Sequence, residues 1–122
     1  MILVDTSVWV DHLNETDPYL EELLSSGQVQ IHPFVLGEIA LGKLRKRDQL
    51  LSGLMGLQAS TLVPDADAVM AIAALSLDGT GIGYIDAHLL LSARLDDAKL
   101  WTRNKRLSAQ AARLGVQYRT VQ

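Results

Sequence analysis

The chain has 122 residues, 48% of them hydrophobic, and a formal net charge of −3. That length suits one compact domain, residues 1–122, with enough apolar material for a core. The lack of cysteine excludes disulfides and thiolate zinc sites and suits a reducing cytoplasm. No basic segment precedes the apolar start, so no secretory signal is read there, and no run is long and apolar enough to cross a bilayer.

In chain order, "MILVD" (1–5) reads as a short buried strand, because a continuous apolar run suits a central parallel strand. "TSVWVDHL" (6–13) reads as a helix with Thr6 or Ser7 as its N-cap. "DPYLEELLSSG" (17–27) is a second helix, opened at Pro18 and stopped at Gly27. "VQIH" (29–32) is a strand, and "PFVLGEIALGKL" (33–44) is a helix opened by Pro33. "RDQLLSGLMGL" (47–57) reads as a helix weakened by Gly53 and Gly56. "TLVP" (61–64) fits a short strand, "DADAVMAIAALSL" (65–77) an alanine-rich helix, and "DGTGIG" (78–83) a turn. "DAHLLLSARLD" (86–96) is a helix, "KLWT" (99–102) a strand, "KRLSAQAARLG" (105–115) a helix and "VQYRTV" (116–121) a last strand. Strands alternate with helices, which predicts a mostly parallel central sheet flanked by helices. Ligands of such sheets bind outside the carboxyl ends of the strands.

Four polar residues fall at those ends. Asp5 closes the first strand, Asp86 follows "GIGYI", and Asn104 follows "KLWTR". Glu38 sits one turn into the helix after "VQIH". Its neighbours three and four residues away are Phe34, Val35, Leu41 and Gly42, so the acid is predicted to lie on an apolar face without a nearby cation. Folding would gather three carboxylates and one carboxamide. Such a group repels itself and holds its charge only with cations among it. An oxygen-only ligand set suits Mg²⁺ or Mn²⁺.

Each residue also has a plainer reading. Asp5 and Asp86 suit helix N-termini, where a carboxylate is favoured. Asn104 fits a turn and Thr6 fits a cap. His12, His32 and His88 lack metal-ligand spacing and read as surface or cap residues, and Asp96 and Asp97 as a solvated face. Trp9 and Trp101 lie in apolar segments and read as packing residues. "KLRKR" (43–47) and "RNKR" (103–106) hold seven of the eleven basic residues. The second island brackets Asn104 and sets Arg103, Lys105 and Arg106 beside the candidate site, where they would contact the phosphates of an RNA if the site acts on one.

The ordered set "VDTSVWVDHL", "GEIALG", "YIDAHLLLSA" and "LWTRNKRL" resembles PIN-domain ribonucleases, and more narrowly the VapC toxins of bacterial toxin–antitoxin pairs. The resemblance spans residues 1 to about 119. It implies a PIN-like three-layer α/β sandwich and an endoribonuclease using Mg²⁺, with Mn²⁺ as an alternative. By position, Asp5 matches the first metal-ligating aspartate and Thr6 the hydroxyl that supports it. Glu38 matches the acid of the mid-chain helix and Asp86 the aspartate after the apolar strand. Asn104 occupies the fourth acidic position, where many relatives carry aspartate; it lacks the charge and would weaken a second metal. Asp5 and Asp86 are the metal-ligand pair. The resemblance further implies an antitoxin whose C-terminal segment occupies the active site, and a homodimer. The alternative is a catalytically weakened PIN-like binding module acting through its protein partner. An aspartyl-phosphate phosphatase is disfavoured because Ser7 stands where that chemistry wants a second acid.

Overall fold

A computed structural model describes residues 1–120. The first strand, β1 (Ile2–Val4), is wholly buried and leads into α1 (Thr6–Asn14). A second helix, α2 (Pro18–Ser25), starts on Asp17, whose side chain accepts from the Tyr19 and Leu20 amides. Strand β2 (Val29–Ile31) and helix α3 (Pro33–Leu41) follow, joined by His32 as N-cap. Then come α4 (Arg47–Met55), β3 (Gln58–Ala59) and α5 (Asp65–Ala74). The chain continues with α6 (Tyr84–Leu95), β4 (Lys99–Trp101) and α7 (Lys105–Arg113).

The strands form one parallel sheet in the order β3-β2-β1-β4. Since β1 lies inside the sheet, its three apolar residues are covered on both faces, as parallel sheets require. Helices flank the sheet: α1 packs on α3 and α3 on α4, while α6 packs on α5, α7 and β4. The result is the α/β sandwich anticipated from the alternating elements. Helix α6 is its most enclosed helix, with seven consecutive residues, Ala87 to Ala93, buried. Trp9 and Trp101 are both buried in the core.

Three local readings need correction. The strand expected at 61–64 is displaced to Gln58–Ala59. Asp96 explains the difference: it accepts from Thr61 N at 2.8 Å and from Thr61 Oγ1 at 2.5 Å, turning the chain away from β2. Asp96 is therefore a structural anchor rather than part of a solvated face. The "VQYRTV" strand shrinks to a single parallel bridge between Gln117 and Leu100, and its residue 121 lies outside the described residues. Finally, Asp5 rather than Thr6 or Ser7 caps α1, accepting from Thr6 N at 2.7 Å.

Candidate active site

Because all four strands are parallel, the residues that follow β1, β2 and β4 emerge at one edge. Asp5 leaves β1 there and is 7% exposed. Besides capping α1, its Oδ2 accepts from Ser7 Oγ at 3.0 Å and from Thr102 Oγ1 at 2.7 Å. Those two hydroxyls are themselves acceptors. Ser7 Oγ takes the Arg103 amide and Thr102 Oγ1 takes the Asn104 amide, each at 3.0 Å. With their acceptor sides engaged, both hydroxyl protons point at Asp5. The loop after β4 is thus clamped to the carboxylate that ends β1. Neither Ser7 nor Thr102 was singled out as a site residue, although their spacing, D-T-S and T-R-N around two strand ends, was visible.

Thr6 forms the next link. Its Oγ1 donates to Glu38 Oε1 at 2.9 Å, joining the start of α1 to α3. Glu38 itself is exposed. The premise that it sits buried among apolar neighbours fails because α3 buries Val35 and Ile39, while Leu41 on the acid's side is 90% exposed. Glu38 needs no buried counter-charge; it stands on an apolar but open surface.

Asp86 is the third residue of α6, and its Oδ2 accepts from Gly83 N at 3.0 Å. Burial pushes its carboxyl above the usual carboxylate range, and the Asp5 charge pushes the same way, while the Gly83 amide opposes both. "GIGYI" is not a strand; Tyr84 and Ile85 form the first turn of α6, and this places Asp86 inside the helix.

Asn104 caps α7, with Oδ1 accepting from the Arg106 amide at 3.0 Å and the Leu107 amide at 3.1 Å. Ligation through that oxygen would have to give up the cap. Arg103 is similarly occupied: Nε meets Asp11 at 2.6 Å and an Nη meets Asp17 at 2.9 Å, with the guanidinium 5.8 Å from the centre of the Trp101 ring. Lys105 and Arg106 are exposed. Arg106 crosses Gly81, in the loop before Asp86; a Cβ on Gly81 would lie 3.0 Å from Arg106 Cδ. With φ of +83°, the backbone there favours glycine.

Behind the site, two histidines are fully buried: His32 caps α3, in line with the cap reading, whereas His88 lies inside α6 and is neither a surface nor a cap residue. His32 Nδ1 accepts from Phe34 N at 3.0 Å, so its proton sits on Nε2, facing Ser92 Oγ at 3.1 Å. Ser92 passes its own proton to Thr61 O at 2.8 Å. This chain locks α3 to α6 and so sets Glu38 relative to Asp86. Burial, helped by nearby His88, lowers the His32 pKa to about 4 despite the opposing Asp96 charge. The ring is neutral at physiological pH. His88 Nε2 lies 3.2 Å from Asp65 Oδ1 with poor hydrogen-bond alignment.

The donor set fits a hard divalent cation. Every ligand atom is oxygen, and among the described residues no salt bridge reaches Asp5, Glu38 or Asp86. Two neighbouring carboxylates, one with its ionisation disfavoured, are what a captured cation relieves. No three His, Cys or acidic side chains form a ready-made cluster among the described residues. The acids are linked through Thr6 and through charge rather than pre-assembled.

A parallel α/β sandwich with acidic side chains near the carboxyl edge of its sheet is the architecture into which the comparisons place the chain. The family profile described as "PIN domain" matches residues 2–113, so the chain belongs to the PIN-domain family, and within it to the VapC type. "Ribonuclease VapC32" of Mycobacterium tuberculosis, in strains CDC 1551 / Oshkosh and ATCC 25618 / H37Rv, is 44% identical over 117 residues. That match covers 95% of this chain and 94% of the relative. Among solved structures, PAE2754 from Pyrobaculum aerophilum superposes with a TM-score of 0.62 at 16% identity, over 95% of this chain and 96% of that one. That likeness bears on the fold alone.

Proposed function

We propose that the chain is a metal-dependent endoribonuclease, the toxin of a toxin–antitoxin pair, held inactive by a cognate antitoxin. The observation that carries this reading is the hub at Asp5. Its carboxylate is fixed by three donors and tied through Thr6 to Glu38, its charge bears on Asp86, and among the described residues no salt bridge reaches it. The ribonuclease name of the 44% identical relative supports the same substrate class.

In this reading Asp5 and Asp86 would hold Mg²⁺, or Mn²⁺ in its place. The ion supplies Lewis acidity, neutralising the phosphodiester and making water a better nucleophile at neutral pH. Glu38 offers its second oxygen, Oε2, to take the proton of the attacking water, while Thr6 holds Oε1 and so aims the carboxylate. Lys105 and Arg106 bind RNA phosphates. Arg103 joins them only by leaving Asp11 and Asp17; its present role is to brace the loop. Asn104 positions that loop and the start of α7. Water adds at phosphorus and gives its proton to Glu38, the ester P–O bond breaks, and the departing oxygen takes a proton from solvent. We further place the protein in the cytoplasm and take it to act as a homodimer; among the described residues no helix is long and apolar enough to cross a membrane.

The capped Asn104 and the absence of a ready-made cluster favour one competing reading, a binding module with weakened catalysis. An RNA cleavage assay with Mg²⁺ or Mn²⁺, on protein freed of any partner, separates the two. The nuclease reading expects wild type to cut and Asp5→Asn to be inert. Intact RNA with both proteins refutes it.

A further inference from the structure

Glu38 is exposed beside an open groove. The groove runs between α3 and the first turn of α6 and encloses about 600 Å³. Its walls include Phe34, Gly37 and Leu41 on one side and Tyr84 and Ile85 on the other. That volume falls in the ordinary range for small-molecule sites, about 300–1,000 Å³. Leu41 is 90% exposed, Tyr84 44% and Ile85 38%, so an apolar surface is left open beside the acids.

Building on the ribonuclease reading above, we propose that this groove is a subsite for one amino-bearing nucleobase of the RNA, adjoining the phosphate that is cut. Continuity carries the first part of the argument. Glu38 lines the groove and also receives the Thr6 hydrogen bond, and Ile85 directly precedes Asp86. A base seated here lies one short step along the chain from the acidic cluster. Tyr84 carries the second part. Its hydroxyl donates to Asp65 Oδ1 at 2.6 Å, and its ring stands edge-on to His88, 4.6 Å between centres at 89°. An aromatic ring already fixed loses little freedom when a base packs on it.

The polar atoms lining the groove give the preference among bases. Asp65 Oδ2 and the Tyr84 oxygen are acceptors, Glu38 adds negative charge at the end nearest the cut phosphate, and no cationic side chain lines the groove. Such a wall suits a base edge that donates. Cytosine, adenine and guanine carry amino groups; uracil presents carbonyl oxygens in their place and gains least.

Gly37 supplies the test, because a Cβ there meets nothing within 4 Å. A leucine at 37 fills the groove without disturbing α3. Binding of cytidine monophosphate, uridine monophosphate and ribose 5-phosphate is titrated by NMR in the presence of Mg²⁺, on wild type and Gly37→Leu. Cytidine monophosphate should bind at least about fivefold tighter than ribose 5-phosphate, and tighter than uridine monophosphate. Gly37→Leu should erase both differences and retain ribose 5-phosphate. Equal affinities in wild type, or differences that survive Gly37→Leu, overturn the subsite and leave the groove to a protein segment. If wild type still cleaves RNA in that case, only the subsite fails. If it neither cleaves RNA nor binds any of the three compounds, the ribonuclease reading fails with it.

Discussion

Acid should unfasten the lock between α3 and α6 through one side chain, His32. The ring is buried and neutral, with its pKa lowered from 6.5 to about 4. In the unfolded chain it binds a proton near pH 6.5. Between those two values the unfolded state holds more protons than the folded one, so stability falls as pH falls. At pH 5 the loss relative to pH 8 is about 2 kcal/mol, and it approaches about 3 kcal/mol below pH 4. Urea unfolding at pH 8 and pH 5 measures this in wild type and His32→Asn. Asparagine keeps an acceptor for the Phe34 amide but cannot titrate, and every other ionisable group is common to both proteins. The variant should be less stable at pH 8, since it loses the Ser92 contact, yet should lose about 2 kcal/mol less on acidification. Equal pH dependence in the two proteins would refute the assignment of a neutral His32 to this lock.

Other consequences concern the site itself. Asp86→Asn keeps an acceptor for the Gly83 amide and removes a carboxylate whose ionisation is opposed by burial and by Asp5; differential scanning fluorimetry without metal at pH 7 should show a higher Tm, and RNA cleavage should vanish. Thr6→Val frees Glu38 from its only donor among the described residues and should slow cleavage by about tenfold, the worth of one hydrogen bond, with folding retained by circular dichroism. Asn104→Asp preserves the α7 cap and adds an anionic oxygen, so calorimetry should report tighter Mn²⁺ binding; unchanged or weaker binding would remove residue 104 from the site.

Much of the layout could be read in advance. The apolar run at 1–4, the alternation of helices with strands, and the polar residues at strand ends led to the parallel sheet and to the edge where Asp5 and Asn104 lie. What escaped was set by contacts distant in sequence. Asp96 redirects Thr61 across 35 positions, and nothing local announces it. The Ser7 and Thr102 clamp joins residues 97 positions apart at Asp5. Glu38 was misread for a different reason: apolar neighbours imply burial only where something covers them, and Leu41 remains open. The cap role open to His32 was legible, but its burial was not, because the polar partner that makes that burial tolerable, Ser92, lies 60 residues away.

Soaking a crystal of the protein in Mn²⁺ and mapping its anomalous scattering tests the account at its root. The peak should fall between Asp5 and Asp86, at about 2.0–2.2 Å from a carboxylate oxygen of each, with Glu38 close by. Manganese bound elsewhere on the molecule, with that edge of the sheet vacant, would contradict it.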